Sequence, residues 1–169
     1  MFTVYRASGT KTDDAYYGYC TGEDPKSIFL KGARRGELDR GDIRLFMMNG
    51  EDEDNIKIEV LDGCTDEIEA WMIRNDYRAT CIDSITGPTH WPGNLAKRAT
   101  DEYPERFDMW KTKIKQREAK TAREAWALGM WTQQSVKDLT TIYPRTQVVK
   151  DLDTLKPIEF SRKYSLTIV

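Results

Sequence analysis

Hydrophobic and polar positions along the chain change period twice. Thr3-Val4-Tyr5-Arg6-Ala7 is short, β-branched and aromatic, and predicts a strand. Ser8 to Asp14 is turn chemistry, and Ala15 to Thr21 predicts a second strand, so the two read as a hairpin. Asp24-Pro25 opens a short helix, Ser27 to Arg35, interrupted by Gly32 and Gly36. Ile43 to Met48 is apolar and fits helix or strand, and an acidic loop, Asn49 to Asp54, follows it. Asn55 to Leu61 alternates cleanly and is the clearest strand in the chain. Thr65-Asp66 then caps a helix, Glu67 to Tyr77, whose Ile68, Trp71 and Met72 stand at i, i+3 and i+4 as a core stripe.

A long loop, Thr80 to Asn94, separates this part from a helical one. Its Thr89-His90-Trp91 reads either as a nucleotide-stacking pair or as a plug over a small core. Pro104 to Leu128 predicts one charged helix or two, basic from Lys111 through Lys113 and Lys115 to Arg117. Thr132 caps a further helix, Gln133 to Thr140, with Val136 and Leu139 inward, which Tyr143-Pro144 breaks. The next helix turns Val148, Val149, Leu152 and Leu155 inward and leaves Arg145, Gln147, Lys150 and Thr154 on its other face. Two short helices joined this way suit a helix-turn-helix, whose second helix enters the major groove. Arg and Gln match guanine and adenine edges. The same pattern also suits plain packing in a bundle.

Charge sharpens the division. Residues 1–93 hold 11 Lys/Arg against 18 Asp/Glu, a balance of −7, and residues 94–169 hold 15 against 10, a balance of +5. The acidic front is suited to a metal and the basic back to phosphates. A boundary near residue 98 gives two regions, 1–98 and 99–169. No stretch approaches the roughly 20 apolar residues of a spanning helix, and the start lacks the pattern of a signal peptide. The expectation is a protein that stays in a reducing cytoplasm. Cys20, Cys64 and Cys81 are odd in number and widely spaced, and with the lone His90 they make a zinc site only by gathering four distant positions. Free, mostly buried thiols are expected instead.

The hairpin places Thr3-Val4-Tyr5 ahead of Tyr16-Tyr17-Gly18. Ile58-Glu59-Val60-Leu61-Asp62 follows, then Glu67-Ile68-Glu69-Ala70-Trp71-Met72-Ile73. In order and spacing this resembles the GIY-YIG nucleases over roughly residues 1–95, and the remainder resembles the DNA-targeting tails appended to such enzymes, including phage homing endonucleases. The resemblance implies an α+β fold: a small three-stranded antiparallel sheet flanked by helices, followed by a mainly helical, basic region.

It also implies metal-dependent hydrolysis of DNA phosphodiester bonds. Tyr5 and Tyr16 would lie side by side near the scissile phosphate. A tyrosine of lowered pKa, or a water it orients, would transfer a proton. Glu69 would hold one Mg2+ (or Mn2+), with Glu67 as the alternative ligand. The family's arginine position holds Lys26 here, and Arg34 or Arg35, farther along the same helix, substitutes for it. Asn94 would close the site, and Tyr17 stands where the family carries Ile or Val. In the tail, Lys111, Lys113, Lys115 and Arg117 would track the DNA backbone, and Arg145, Gln147 and Lys150 would face the groove. Two other readings stand beside this one: a DNA-binding module without catalysis, and a phage structural or host-interaction protein.

Overall fold

The structure, a computed structural model, describes residues 1–22, 24–35, 50–84 and 93–169, and the side chains of residues 32–35 lie outside the description. The apolar run Ile43–Met48 and the Thr89-His90-Trp91 segment fall outside the described residues.

Strands β1 (Phe2–Ser8), β2 (Ala15–Thr21) and β3 (Lys57–Cys64) form one antiparallel sheet in the order β2-β1-β3. The expected α+β class and three-stranded sheet are therefore present. β1 is central, paired along its length to both neighbours. Opposite β2, Tyr5 meets Gly18 and Ala7 meets Tyr16. Opposite β3 the register slips between Val4, which meets Asp62, and Tyr5, which meets Val60, so Leu61 is an extra residue and a bulge. β3 continues to Cys64, three residues past the alternation that marks it in the sequence.

Alternation divides the strand residues between two faces. Tyr5, Ala7, Tyr16 and Cys20 share one face and are covered by Phe29 of α1 (Pro25–Arg35). Val4 and Cys64 share the other and are covered by Ala70 of α2 (Glu67–Thr80). Asp66 caps α2 by accepting from the Ile68 amide. Ile68, Trp71 and Met72 are buried, as their spacing predicts. α2 runs one turn past Tyr77, because the residues after it, Arg78 and Ala79, are buried as well.

The acidic loop buries one of its carboxylates, Glu51. That residue is only 6% exposed. Its carboxylate accepts from the Thr10 amide (2.9 Å), the Lys11 amide (2.8 Å) and the Thr10 hydroxyl (2.9 Å). Those bonds to turn amides hold its pKa below the ordinary carboxylate value. The β1–β2 turn is thus held by a residue 40 positions away.

The chain divides into two compact units, Met1–Asp108 and Met109–Val169. α3 (Gly93–Glu102) belongs to the first: it packs on α2, and its Arg98 reaches back to Asp66 at 3.6 Å. Residue 98 is therefore inside a helix, and the division falls in α4 (Pro104–Arg117), where Arg106 pairs with Asp76 of α2. Counted by unit, the charge separation is wider than by halves: 14 Lys/Arg against 22 Asp/Glu in the first, 12 against 6 in the second.

In the second unit α5 (Ala122–Ala127), α6 (Gln133–Ile142), α7 (Arg145–Thr154) and α8 (Pro157–Tyr164) enclose a core of Met130, Trp131, Val136, Leu139, Val148, Leu152, Phe160 and Tyr164. Gly129, at φ +84°, turns the chain between α5 and α6 without the Cβ penalty of that region. Thr132 caps α6 through the Ser135 amide. Val149, expected inward, is 40% exposed, because Val148 and Leu152 already fill the inward positions of α7. Among the described residues no helix is long and apolar enough to cross a membrane.

Asp151, buried on α7, accepts from the Tyr164 hydroxyl at 2.5 Å and pairs with Lys163 at 2.7 Å. The Lys163 and Tyr164 hydrogen bonds hold its pKa below the ordinary carboxylate value. A depressed carboxylate contributes stability above its unfolded pKa and loses it as pH falls through its folded one. The second unit is therefore expected to weaken below about pH 4. Asp151→Asn should lower stability at pH 7 by about 1–2 kcal/mol, discounted for the half-exposed Lys163. It should also flatten the acid limb of a pH series of thermal melts. An unchanged acid limb refutes the assignment.

Candidate active site

The residues of the expected site lie on five elements, β1, β2, α1, α2 and α3. β1 supplies Tyr5 and β2 supplies Tyr16, two residues before Gly18, which lies opposite Tyr5. Their side chains share a face, with ring centroids 6.1 Å apart and tilted by 46°. Phe29 of α1 completes the cluster, 6.4 Å from Tyr5 and 5.4 Å from Tyr16. Both tyrosines lie over Gly18. A Cβ on that residue would stand 2.6 Å from a ring carbon of Tyr16 and 2.8 Å from the Tyr5 hydroxyl. The glycine of the Tyr-Tyr-Gly motif is thus a steric requirement of the pair.

Electrostatics assigns Tyr5 a protonated role. It is 1% exposed, and burial followed by the charge of Tyr16 pushes its hydroxyl far above the ordinary tyrosine value. A tyrosine of lowered pKa is therefore not found at this position: desolvation disfavours phenolate, and Tyr5 is a hydrogen-bonding hydroxyl. The opposing influence is Arg74 of α2, a buried cation whose charge bears on both Tyr5 and Tyr19. Tyr19 donates to Glu67 Oε1 at 3.1 Å, and burial and Glu67 push its hydroxyl up to about 12.

Arg74 and Tyr19 were not among the residues singled out by sequence. A signal for Arg74 is present in hindsight: Ala70, Arg74 and Arg78 follow one another at four-residue intervals, and all three are buried. Of the expected cations, Lys26 is half-buried at the start of α1, and the side chains of Arg34 and Arg35 lie outside the described residues.

Glu69 is exposed in the first turn of α2, where its charge bears on Cys64, and it makes no side-chain hydrogen bond or ion pair among the described residues. Glu67 is engaged by Tyr19. Among the described residues no three His, Cys, Asp or Glu side chains gather as a metal cluster. A single exposed carboxylate suits an ion that keeps most of its waters, and Glu69 fits that description better than Glu67. Asn94 is exposed in the first turn of α3 and, among the described residues, makes no hydrogen bond or ring contact with the tyrosine cluster. Cys20 and Cys64 are buried, Cys81 is half-buried, and all three are free thiols.

On the opposite face, Tyr17 stacks on Tyr77, with centroids 5.5 Å apart and planes within 4°, and donates to Asp83 Oδ1 at 2.8 Å. Arg6 binds the same carboxylate through Nε (3.0 Å) and Nη2 (2.5 Å). Tyr17 therefore faces away from Tyr16, as strand alternation requires, and anchors the segment after α2 to the edge of the sheet.

In the second unit the expected DNA contacts separate. Lys111 and Lys115 are exposed, Lys113 is half-buried, and Arg117 is 5% exposed. Burial, with Arg117 nearby, lowers the Lys113 pKa. Arg145 and Lys150 are exposed on α7, whereas Gln147 is half-buried and donates to the Tyr164 hydroxyl at 3.2 Å. A four-residue basic run cannot present all its charges on one side of a helix, and here Arg117 turns inward.

The Gly18 geometry makes a direct prediction. Gly18→Ala drives a methyl into two aromatic rings, and urea denaturation should show a loss of about 1–3 kcal/mol, the ordinary cost of overpacking. Gly63→Ala, whose Cβ would meet only Met1 Sδ at 3.5 Å, serves as the control. Equal effects at the two glycines would contradict the crowding over Gly18. Comparison of the chain with protein-family models, with curated proteins and with solved structures yields no match in any of the three.

Proposed function

We propose that the protein is a metal-dependent DNA endonuclease whose first unit cuts and whose second unit holds the DNA. The single observation that supports this most is the pairing of Tyr5 and Tyr16 over Gly18 on adjacent strands, where the charge of Arg74 bears on Tyr5. A phosphodiester is hydrolysed when water adds to phosphorus and one P–O ester bond breaks, the departing oxygen taking up a proton. Tyr5 keeps its proton at neutral pH, so its part is to donate a hydrogen bond and orient a phosphate oxygen or the attacking water, with Tyr16 fixing its direction. Arg74 opposes the negative charge that grows on the phosphate. Mg2+ or Mn2+ held by Glu69 would add Lewis-acid stabilisation of that charge and of the leaving oxygen. Asn94 and the arginines at the end of α1 complete the assignment that the sequence resemblance suggests.

The burial of Tyr5 and Tyr16 favours one other reading, in which the sheet unit is a scaffold and the protein binds DNA without cutting it. Catalysis separates the two. Purified protein with Mg2+ should cut duplex DNA. Glu69→Ala should abolish cutting while leaving binding largely intact, since a transition-state contact affects rate more than ground-state affinity. Tyr5→Phe, which removes only the hydroxyl, should slow cutting by about a hundredfold or more. Normal cutting by Glu69→Ala means the ligand is another carboxylate. Binding without cutting by wild type, under both metals, leaves the binding-module reading in place of the nuclease.

A further inference from the structure

The second unit carries a groove of about 290 Å3 bounded by α5, α6 and α7. Its floor is apolar, made by Val136, Val148 and Leu152 of the core, and Trp126 forms one wall. Three cations line it, Arg123 of α5, Lys137 of α6 and Arg145 of α7, and no carboxylate does. Arg123 is compensated by Asp153, which engages its Nε at 2.5 Å. That pairing holds the Asp153 pKa down. Lys137 and Arg145 are exposed and make no side-chain hydrogen bond or ion pair among the described residues. Asp138, adjacent in sequence to Lys137, is instead engaged by Gln134 at 2.7 Å.

We infer that this groove, rather than the row Lys111–Arg117, is where the second unit grips DNA, with Lys137 and Arg145 on backbone phosphates and Arg123 steered toward the strand by Asp153. The inference rests on the DNA reading above and assigns its contact surface. The occupant follows from charge complementarity. Two exposed cations, Lys137 and Arg145, line the groove on a unit holding 12 Lys/Arg against 6 Asp/Glu, so a polyanion is drawn to it. Positioning contacts to phosphate are made by such side chains from neighbouring helices. Gln147, held by Tyr164, is withdrawn from this surface, so α7 contributes Arg145 and not a Gln base contact.

The test uses the full-length chain and mixed-sequence duplex DNA titrated at several salt concentrations. Lys137→Ala and Arg145→Ala should each reduce the slope of log affinity against log salt by about 0.9, and the double variant by about 1.8. Lys156→Ala, at the exposed start of α8 and outside the groove, should leave the slope near the wild-type value. Thermal melts verify folding, and Lys137→Arg with Arg145→Lys, which keep the charges, should restore the slope. A double variant that binds like wild type, or a loss equal to that of Lys156→Ala, overturns the groove while DNA cutting by wild type leaves the nuclease reading standing. Wild type that binds no DNA, or that prefers poly-glutamate to DNA, overturns both.

Discussion

Gly18 carries no Cβ, and the space this leaves is filled by the Tyr16 ring and the Tyr5 hydroxyl. The arrangement depends on two periods meeting. β1 and β2 pair so that Tyr5 faces Gly18, and the strand period of two then puts Tyr16 on the same face. Phe29 closes the cluster from α1, which makes the pair a core feature as well as a candidate site. A one-residue slip of β2 would move Tyr16 to the opposite face and bring Tyr17 over β1 in its place. The turn that sets this register is tied by Glu51, whose carboxylate satisfies two turn amides that water would otherwise serve.

Burial at the site has chemical consequences. A tyrosine this enclosed keeps its proton near neutral pH, because burial disfavours the phenolate. The charge of Arg74 bears on both Tyr5 and Tyr19, and Tyr19 in turn donates to Glu67. The first unit as a whole is acidic and the second basic, so the proposed grip on phosphates would fall to the second.

The second unit achieves a small core with large side chains. Trp131, Phe160 and Tyr164 pack together, with Trp131 and Phe160 centroids 5.2 Å apart and Phe160 and Tyr164 4.8 Å apart. Trp131 Nε1 donates to Ser161 at 3.3 Å, so its polar end is not stranded. Filling the interior this way leaves Val149 and the cations of α5, α6 and α7 around an open groove.

The sequence by itself determined what short-range periodicity can encode: the hairpin, the third strand, the cap and apolar stripe of α2, and the start of α6 at Thr132. That Tyr5 and Tyr16 share a face was implied only by the family resemblance, and the pairing register of β1 with β2 is what places them so. Only the tertiary structure decided the rest. Glu51 and Asp83 acquire their partners from residues 40 or more positions away, which no local pattern records. Arg117 is buried although Lys111 and Lys115 of the same basic run are exposed, and Gln147 is held by Tyr164 of a helix whose place is set by packing. A polar side chain's exposure depends on which other elements lie beside it. For that reason the composition could say that the tail is basic, while the fold alone could say which of its cations face outward together.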